Sequence, residues 1–110
     1  MYLSLDILKG ARGGVGYGAV DTPIVFSEHV LEYAQSRGVT LAEITAAIRT
    51  ERWHRHGRDR HECRKNFPYA TRAFDTKQVR VLFVEEARRI VVVTAYAYFV
   101  RTRPGNAVAA

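Results

Sequence analysis

The segment KQVRVLFVEEARRIVVVTAYAYFV, running from Lys77 to Val100, constrains the fold more than any other part of the chain. β-Branched and aromatic residues suit the pleated, half-buried surface of a sheet, and the charged EARR stretch interrupts them where a hairpin connection belongs. Two long antiparallel strands are predicted, over 77–85 and 89–101. Side chains alternate across a strand, so Thr94, Tyr96 and Tyr98 share one face of the second, and Val93, Ala95, Ala97 and Phe99 share the other. The apolar face is expected to meet helices. The hydroxyl-bearing face is left to line a site.

The helices are predicted from caps and periodicity. Ser27 is a good N-cap, Val30, Leu31 and Ala34 fall on one helical face, and Gly38 is placed to end the helix, which gives a first helix over 28–37. Thr40 and Glu43 have capping-box spacing, and Leu41, Ile44, Ala47 and Ile48 form an apolar stripe, which gives a second helix over 41–50. The segment from Thr50 to Lys65 is dense in Arg and His and reads as a long exposed connection. Short strands are expected over 64–67, interrupted by Pro68, and over 71–74.

These elements predict an α+β fold in which two N-terminal helices pack on an antiparallel sheet of three or four strands. A chain of 110 residues with 47% apolar and 25% charged residues has room for one core. Residues 1–25 are expected to be a flexible glycine-rich arm or linker, 26–101 the α+β domain, and 102–110 a disordered tail. Gly14, Gly16 and Gly18 resemble a phosphate loop only in composition, because Pro23 and the Ile24-Val25-Phe26 run oppose the helix that such a loop needs.

The formal charge of +6 attracts polyanions, nucleic acid among them. The single cysteine, Cys63, excludes an intramolecular disulfide. It would serve as a nucleophile only if the flanking arginines lowered its pKa. The N-terminal sequence lacks the basic start and sustained apolar stretch of a signal peptide, and no window has the length and apolarity of a membrane span. A cytoplasmic site of action is the expectation, with delivery as part of a secreted toxin left open.

The order FSEHVLEYAQSRGVTLAEI, a variable basic segment, then KQVRVLFVEEARRIVVVTAYAYF resembles the family catalogued as domain of unknown function 4258. That family is similar in outline to the ribonuclease toxins grouped as barnase, EndoU, colicin and RelE. The resemblance covers residues 26–100 and is most specific at Ser27 with His29, at Arg37-Gly38-Val39 and along Ile90 to Tyr96. It implies a helix-start histidine at His29, an Arg-Gly pair at Arg37-Gly38, a basic residue of the penultimate strand at Arg80, and Thr94 and Tyr96 as a Thr-x-Tyr element. Where the family often carries an arginine four residues after the histidine, this chain has Tyr33; if that arginine helps bind phosphate, the resemblance implies that the role passes to Lys77, Arg80 or the basic loop.

Metal-independent RNA cleavage needs a group that takes the proton of the ribose 2′-hydroxyl, a donor for the leaving 5′-oxygen, and a cation for the charge on phosphorus. His29, Arg80, Lys77, Thr94 and Tyr96 have the chemistry for those roles. A histidine in a first helical turn sits near the positive end of the helix dipole, which favours neutral imidazole and a nearby phosphate. The plainer alternatives are a His29 held by local hydrogen bonds and a Thr94 and Tyr96 chosen for sheet packing.

In WHRHGRDRHECRK, the side chains of Arg52, Trp53, Arg55, Arg58, Arg60, Arg64 and Lys65 suit an RNA-contacting loop, with arginine forks on phosphate oxygens and Trp53 stacked on a base. The alternative is a solvated basic loop with a docked tryptophan. His54, His56, His61 and Cys63 are potential zinc ligands, but their spacing matches no familiar finger and the interleaved arginines repel a cation, so neither metal nor cofactor is assigned. Two functions follow. One is a small toxin-like ribonuclease. The other is a non-catalytic module that binds RNA or an acidic protein such as an antitoxin or immunity protein.

Overall fold

The structure is a computed structural model that describes residues 3 and 4 and residues 22 to 101. The two long strands predicted from the C-terminal segment form its centre, β5 over Thr76–Glu85 and β6 over Ile90–Val100. Their connection is closed by the Glu86 N–H donating to the Arg89 carbonyl at 2.8 Å. Around them, β1 (Leu3–Ser4), β2 (Ile24–Phe26), β3 (His54–His56) and β4 (Arg60–Pro68) complete a six-stranded sheet in the order β1-β2-β6-β5-β4-β3.

The fold is α+β, but its sheet is larger than predicted and mixed, because β2 runs parallel to β6. Ile24 and Val25, assigned from sequence to an arm, form part of that strand. Both helices follow it in sequence. Glycines 14, 16 and 18, most of the proposed arm and the 102–110 tail lie outside the described residues.

Helix α1 spans Glu28–Tyr33, shorter than predicted, and tightens into a 3₁₀ turn over Gln35–Arg37. The Val30 N–H donates to Ser27 Oγ at 3.3 Å, as the cap predicts. Gly38 ends the turn with φ of +78°, a conformation that a side chain would strain. Helix α2 spans Leu41–Thr50, and its capping box is complete, with the Glu43 N–H donating to Thr40 Oγ1 at 3.0 Å and the Thr40 N–H to Glu43 Oε1 at 2.9 Å. Its Ile44, Ala47 and Ile48 enter a core shared with Ile24, Phe26, Val79, Val81, Phe83, Ile90, Val92 and Ala95.

The basic connection between Thr50 and Lys65 is largely a β-hairpin. Strands β3 and β4 pair antiparallel on either side of Gly57, whose φ is +81°, and β4 pairs with β5 from His61 to Pro68. Hydropathy hides these strands because the ladder is made of backbone bonds and β4 buries little beyond Cys63 on its inner side. The polar, exposed side chains of the edge strand β3, with the charged Arg55 at its centre, also discourage pairing with other chains. Residues 71–74 are not a strand. Thr71 Oγ1 accepts from the Phe74 N–H at 2.9 Å and closes a turn instead.

One irregularity decides which side chains face which way. The register between β5 and β6 pairs Phe83 with Val92 but Leu82 with Thr94, so Val93 is an extra residue in a β-bulge. Before the bulge, Ile90 and Val92 face the core, and after it Ala95 does. The simple alternation predicted along the strand is therefore broken at Val93, so that Val92 and Ala95, three residues apart, face the core together. Without the shift, Thr94 would stand opposite Val81 in the core and Arg80 opposite Ala95. With it, Arg80 stands opposite Tyr96, and both lie with Thr94 on the face away from α2.

Candidate active site

Strand β2 accompanies β6 only from Ile90 to Val92, which leaves the next β6 carbonyls on that edge for other donors. Ser27 Oγ donates to the Val93 carbonyl at 3.4 Å, and Arg37 Nη1 donates to the Ala95 carbonyl at 3.2 Å. Helix α1 and the turn after it are thereby fastened along β6. Val30 and Ala34 point into the core, while His29, Tyr33 and Arg37, four residues apart in succession, line the other side.

This arrangement brings the α1 stripe to the hydroxyl-bearing face of the sheet. Arg37 Nη1 also donates to Thr94 Oγ1 at 3.1 Å, and Thr94 Oγ1 lies 3.4 Å from His29 Nε2. Because Arg37 occupies an acceptor position on the threonine oxygen, the Thr94 hydroxyl proton is available to His29. That proton can go to an unprotonated Nε2, and the second lone pair of the oxygen can equally accept from a protonated one, so the contact serves either tautomer. The contact is long and His29 is exposed, so a competing hydroxyl can displace it.

The Arg37 guanidinium lies over the Tyr96 ring, 4.8 Å from its centroid, and 5.8 Å from that of Tyr33. Arg80 approaches Tyr96 within 5.9 Å of the ring centroid, and Tyr98, next to Tyr96 on the same strand face, helps to raise its pKa. His29, Arg80, Thr94 and Tyr96, four residues singled out from sequence, therefore converge with Arg37. Lys77 does not join them. Its position on β5 has the parity of Val79 and Val81, so it points to α2 and pairs with Glu43 at 2.9 Å.

Arg64 and Arg80 are direct cross-strand partners on this face, a like-charge pairing that is unfavourable alone. Glu62 holds them together: its Oε2 accepts from Arg64 Nε at 2.7 Å and from Arg80 Nε at 3.0 Å. Burial by itself would raise the Glu62 pKa, but the hydrogen bonds from Arg80 and Arg64, with their charges, leave it below the ordinary carboxylate range. The same hydrogen bond to Glu62, and after it Tyr98, raises the pKa of Arg80. One carboxylate thus serves two guanidiniums, and Arg37 adds a third cation beside them.

Because folding lowers the Glu62 pKa, the ionised carboxylate favours the folded state above its unfolded value, and that contribution is lost as pH falls through the folded one. Glu62→Gln is expected to destabilise the protein by about 1–2 kcal/mol at neutral pH in urea unfolding. The gap to wild type should close as pH falls below the ordinary carboxylate range, where both side chains are neutral. A gap unchanged by acid would show that the charge of Glu62 contributes nothing.

The basic segment is redistributed by its hairpin. Arg64 joins the site face through Glu62, whereas Lys65 pairs with Glu51 at 2.9 Å on the other side. That contact, with desolvation acting against it and Thr50 aiding it, holds the Glu51 pKa down. Arg55 donates to the Arg58 carbonyl at 3.3 Å within the turn, and Arg52, Arg58 and Arg60 are exposed. Trp53 is not free to stack on a base. Its Nε1 donates to the Ile48 carbonyl at 2.9 Å, and its ring meets Phe83 edge-on at 4.8 Å.

Strand alternation also separates the candidate zinc ligands. His54 and His56 flank Glu62, while His61 stacks on Phe83 and Cys63 is buried in the core. Burial, followed by the charges of Glu51 and Glu62, pushes the Cys63 thiol up to about 12, which rules out the nucleophile considered from sequence.

Arg37, Tyr33, Tyr98 and Glu62 were not among the residues assigned to the site from sequence. The spacing of His29, Tyr33 and Arg37 was the available signal for the first two. Comparison with protein-family models, with curated proteins and with solved structures finds no match. Among the described residues, no helix is long and apolar enough to cross a membrane.

Proposed function

We propose that the protein is a small, metal-independent, toxin-like ribonuclease that cleaves RNA by attack of a 2′-hydroxyl on the adjacent phosphate. The observation that carries this reading is the meeting of His29, Arg37 and Thr94, with His29 Nε2 and Arg37 Nη1 each within 3.4 Å of Thr94 Oγ1. A base, a cation and a hydroxyl occupy one small region, and Arg80 and Tyr96 border it.

His29 takes the proton of the 2′-hydroxyl, whose oxygen forms a bond to phosphorus as the bond to the 5′-oxygen breaks. Arg37 and Arg80 neutralise the charge that develops on the phosphoryl oxygens. Thr94 and Tyr96 orient the phosphate. The leaving 5′-oxygen collects a proton from water, and His29 returns its proton to solvent. The products are a 2′,3′-cyclic phosphate and a 5′-hydroxyl.

The net charge of +6 suits both RNA and an acidic antitoxin or immunity protein, and the site of action is cytoplasmic in this reading. Purified protein incubated with single-stranded RNA and tRNA over a broad pH range is expected to yield cyclic phosphate ends, and His29→Ala to slow cleavage by about a hundredfold. RNA left intact, or cleaved equally by both proteins, overturns the proposal.

A further inference from the structure

Around the site, aromatic rings and guanidiniums alternate: Tyr33, Arg37, Tyr96, Arg80, Tyr98. Arg37 lies over the first two rings, and Arg80 approaches Tyr96, with Tyr98 beside it on β6. The ends of this series are open to solvent, Tyr33 at 43% exposure and Tyr98 at 40%, although each belongs to an element whose other side packs on the core. Their rings are held by neighbours on one side. Tyr33 lies 4.9 Å from His29, and Tyr98 lies 6.4 Å from Tyr96 in a near-parallel arrangement at 27°.

Large aromatic side chains that are fixed in orientation and left open beside arginines have the chemistry of a stacking platform for a planar, electron-poor ring. The spacing of phosphate and base along a single strand repeats the same alternation of anion and ring. We propose that Tyr33 and Tyr98 are nucleobase-stacking platforms on either side of the Arg37–Arg80 phosphate position, so that the site takes unpaired nucleic acid. A duplex hides its base faces within its own stack, and only splayed or single-stranded bases offer a free face to a tyrosine.

The proposal builds on the ribonuclease reading but concerns binding, which does not require a 2′-hydroxyl. It is therefore tested apart from cleavage, with a fluorescein-labelled single-stranded oligodeoxythymidine that cannot be cut by 2′-attack. In fluorescence anisotropy at fixed ionic strength, the full chain is expected to bind this strand at least tenfold more tightly than a DNA duplex of equal length. Tyr33→Ala and Tyr98→Ala should each weaken single-strand binding about fivefold to a hundredfold, the range for loss of one base–aromatic stack. Tyr33→Phe and Tyr98→Phe, which keep the ring and lose only the hydroxyl, should stay within about twofold of wild type.

Undetectable binding, equal affinity for duplex and single strand, no loss in the alanine variants, or equal loss in the phenylalanine variants overturns the proposal. Ring-dependent binding by a protein that leaves RNA intact would uphold the platforms and sink the ribonuclease reading. RNA cleavage with unchanged kcat/KM in both alanine variants would do the reverse.

Discussion

Arg37→Ala is expected to lower RNA cleavage by about a hundredfold to a thousandfold, the cost of removing one preorganised donor from a site where negative charge develops. Arg37 is placed for such a loss because its Nη1 contacts both Thr94 Oγ1 and the Ala95 carbonyl, and its plane lies over Tyr96. The loss should fall on kcat, since the charge it meets is greatest in the transition state. Arg37→Lys keeps the charge without the planar fork, and recovery to about tenfold below wild type is expected. A purely structural Arg37, serving only to cap the open edge of β6, would predict activity that tracks the fraction folded. Circular dichroism beside the kinetics separates the two: a folded alanine variant with full activity rejects the catalytic role.

Phe83→Ala is expected to destabilise the fold by about 3–5 kcal/mol, the range for deleting a buried aromatic ring. Phe83 is fully buried, meets the edge of Trp53 at 4.8 Å and carries the His61 ring at 5.6 Å. Its loss removes the support on which Trp53 fastens the end of α2 to the sheet. A small domain has only about 5–15 kcal/mol in total, so the midpoint of urea unfolding should fall sharply with little change in slope. Phe83→Leu, which leaves a smaller void, should cost less than half as much. A loss below about 1 kcal/mol for the alanine variant would place this contact outside the cooperative core.

Both residues illustrate which features were open to reading from sequence. Helix α2 was legible to the residue, because the Thr40 and Glu43 cap and the Ile44, Ala47, Ile48 stripe are local patterns. Strands β5 and β6 were legible because each long run of Val, Phe, Ile and Tyr has no helical period. The β3–β4 hairpin was not. It contributes Cys63 to the core but shows solvent a row of Arg, His and Glu, so its composition is that of a loop. Strand β2 escaped for another reason: Ile24, Val25 and Phe26 become a strand only by lying beside Ile90 to Val92, far away in the chain.

The C-terminal strand shows the division most clearly. Sequence alone determined that Thr94 and Tyr96 share a face and that Ala95 and Ala97 share the opposite one, because alternation is a property of the extended backbone itself. Whether that face carries a site depended on the Val93 bulge, on Glu62 reconciling Arg64 with Arg80, and on α1 presenting His29 and Arg37 to the open edge of β6. No local signal marks a bulge within Ile90-Val91-Val92-Val93, where every residue suits either register. The choice falls to tertiary packing, which buries Val92 and Ala95 together, keeps the Thr94 hydroxyl out of the core, and so sets the hydroxyl where His29 and Arg37 can reach it.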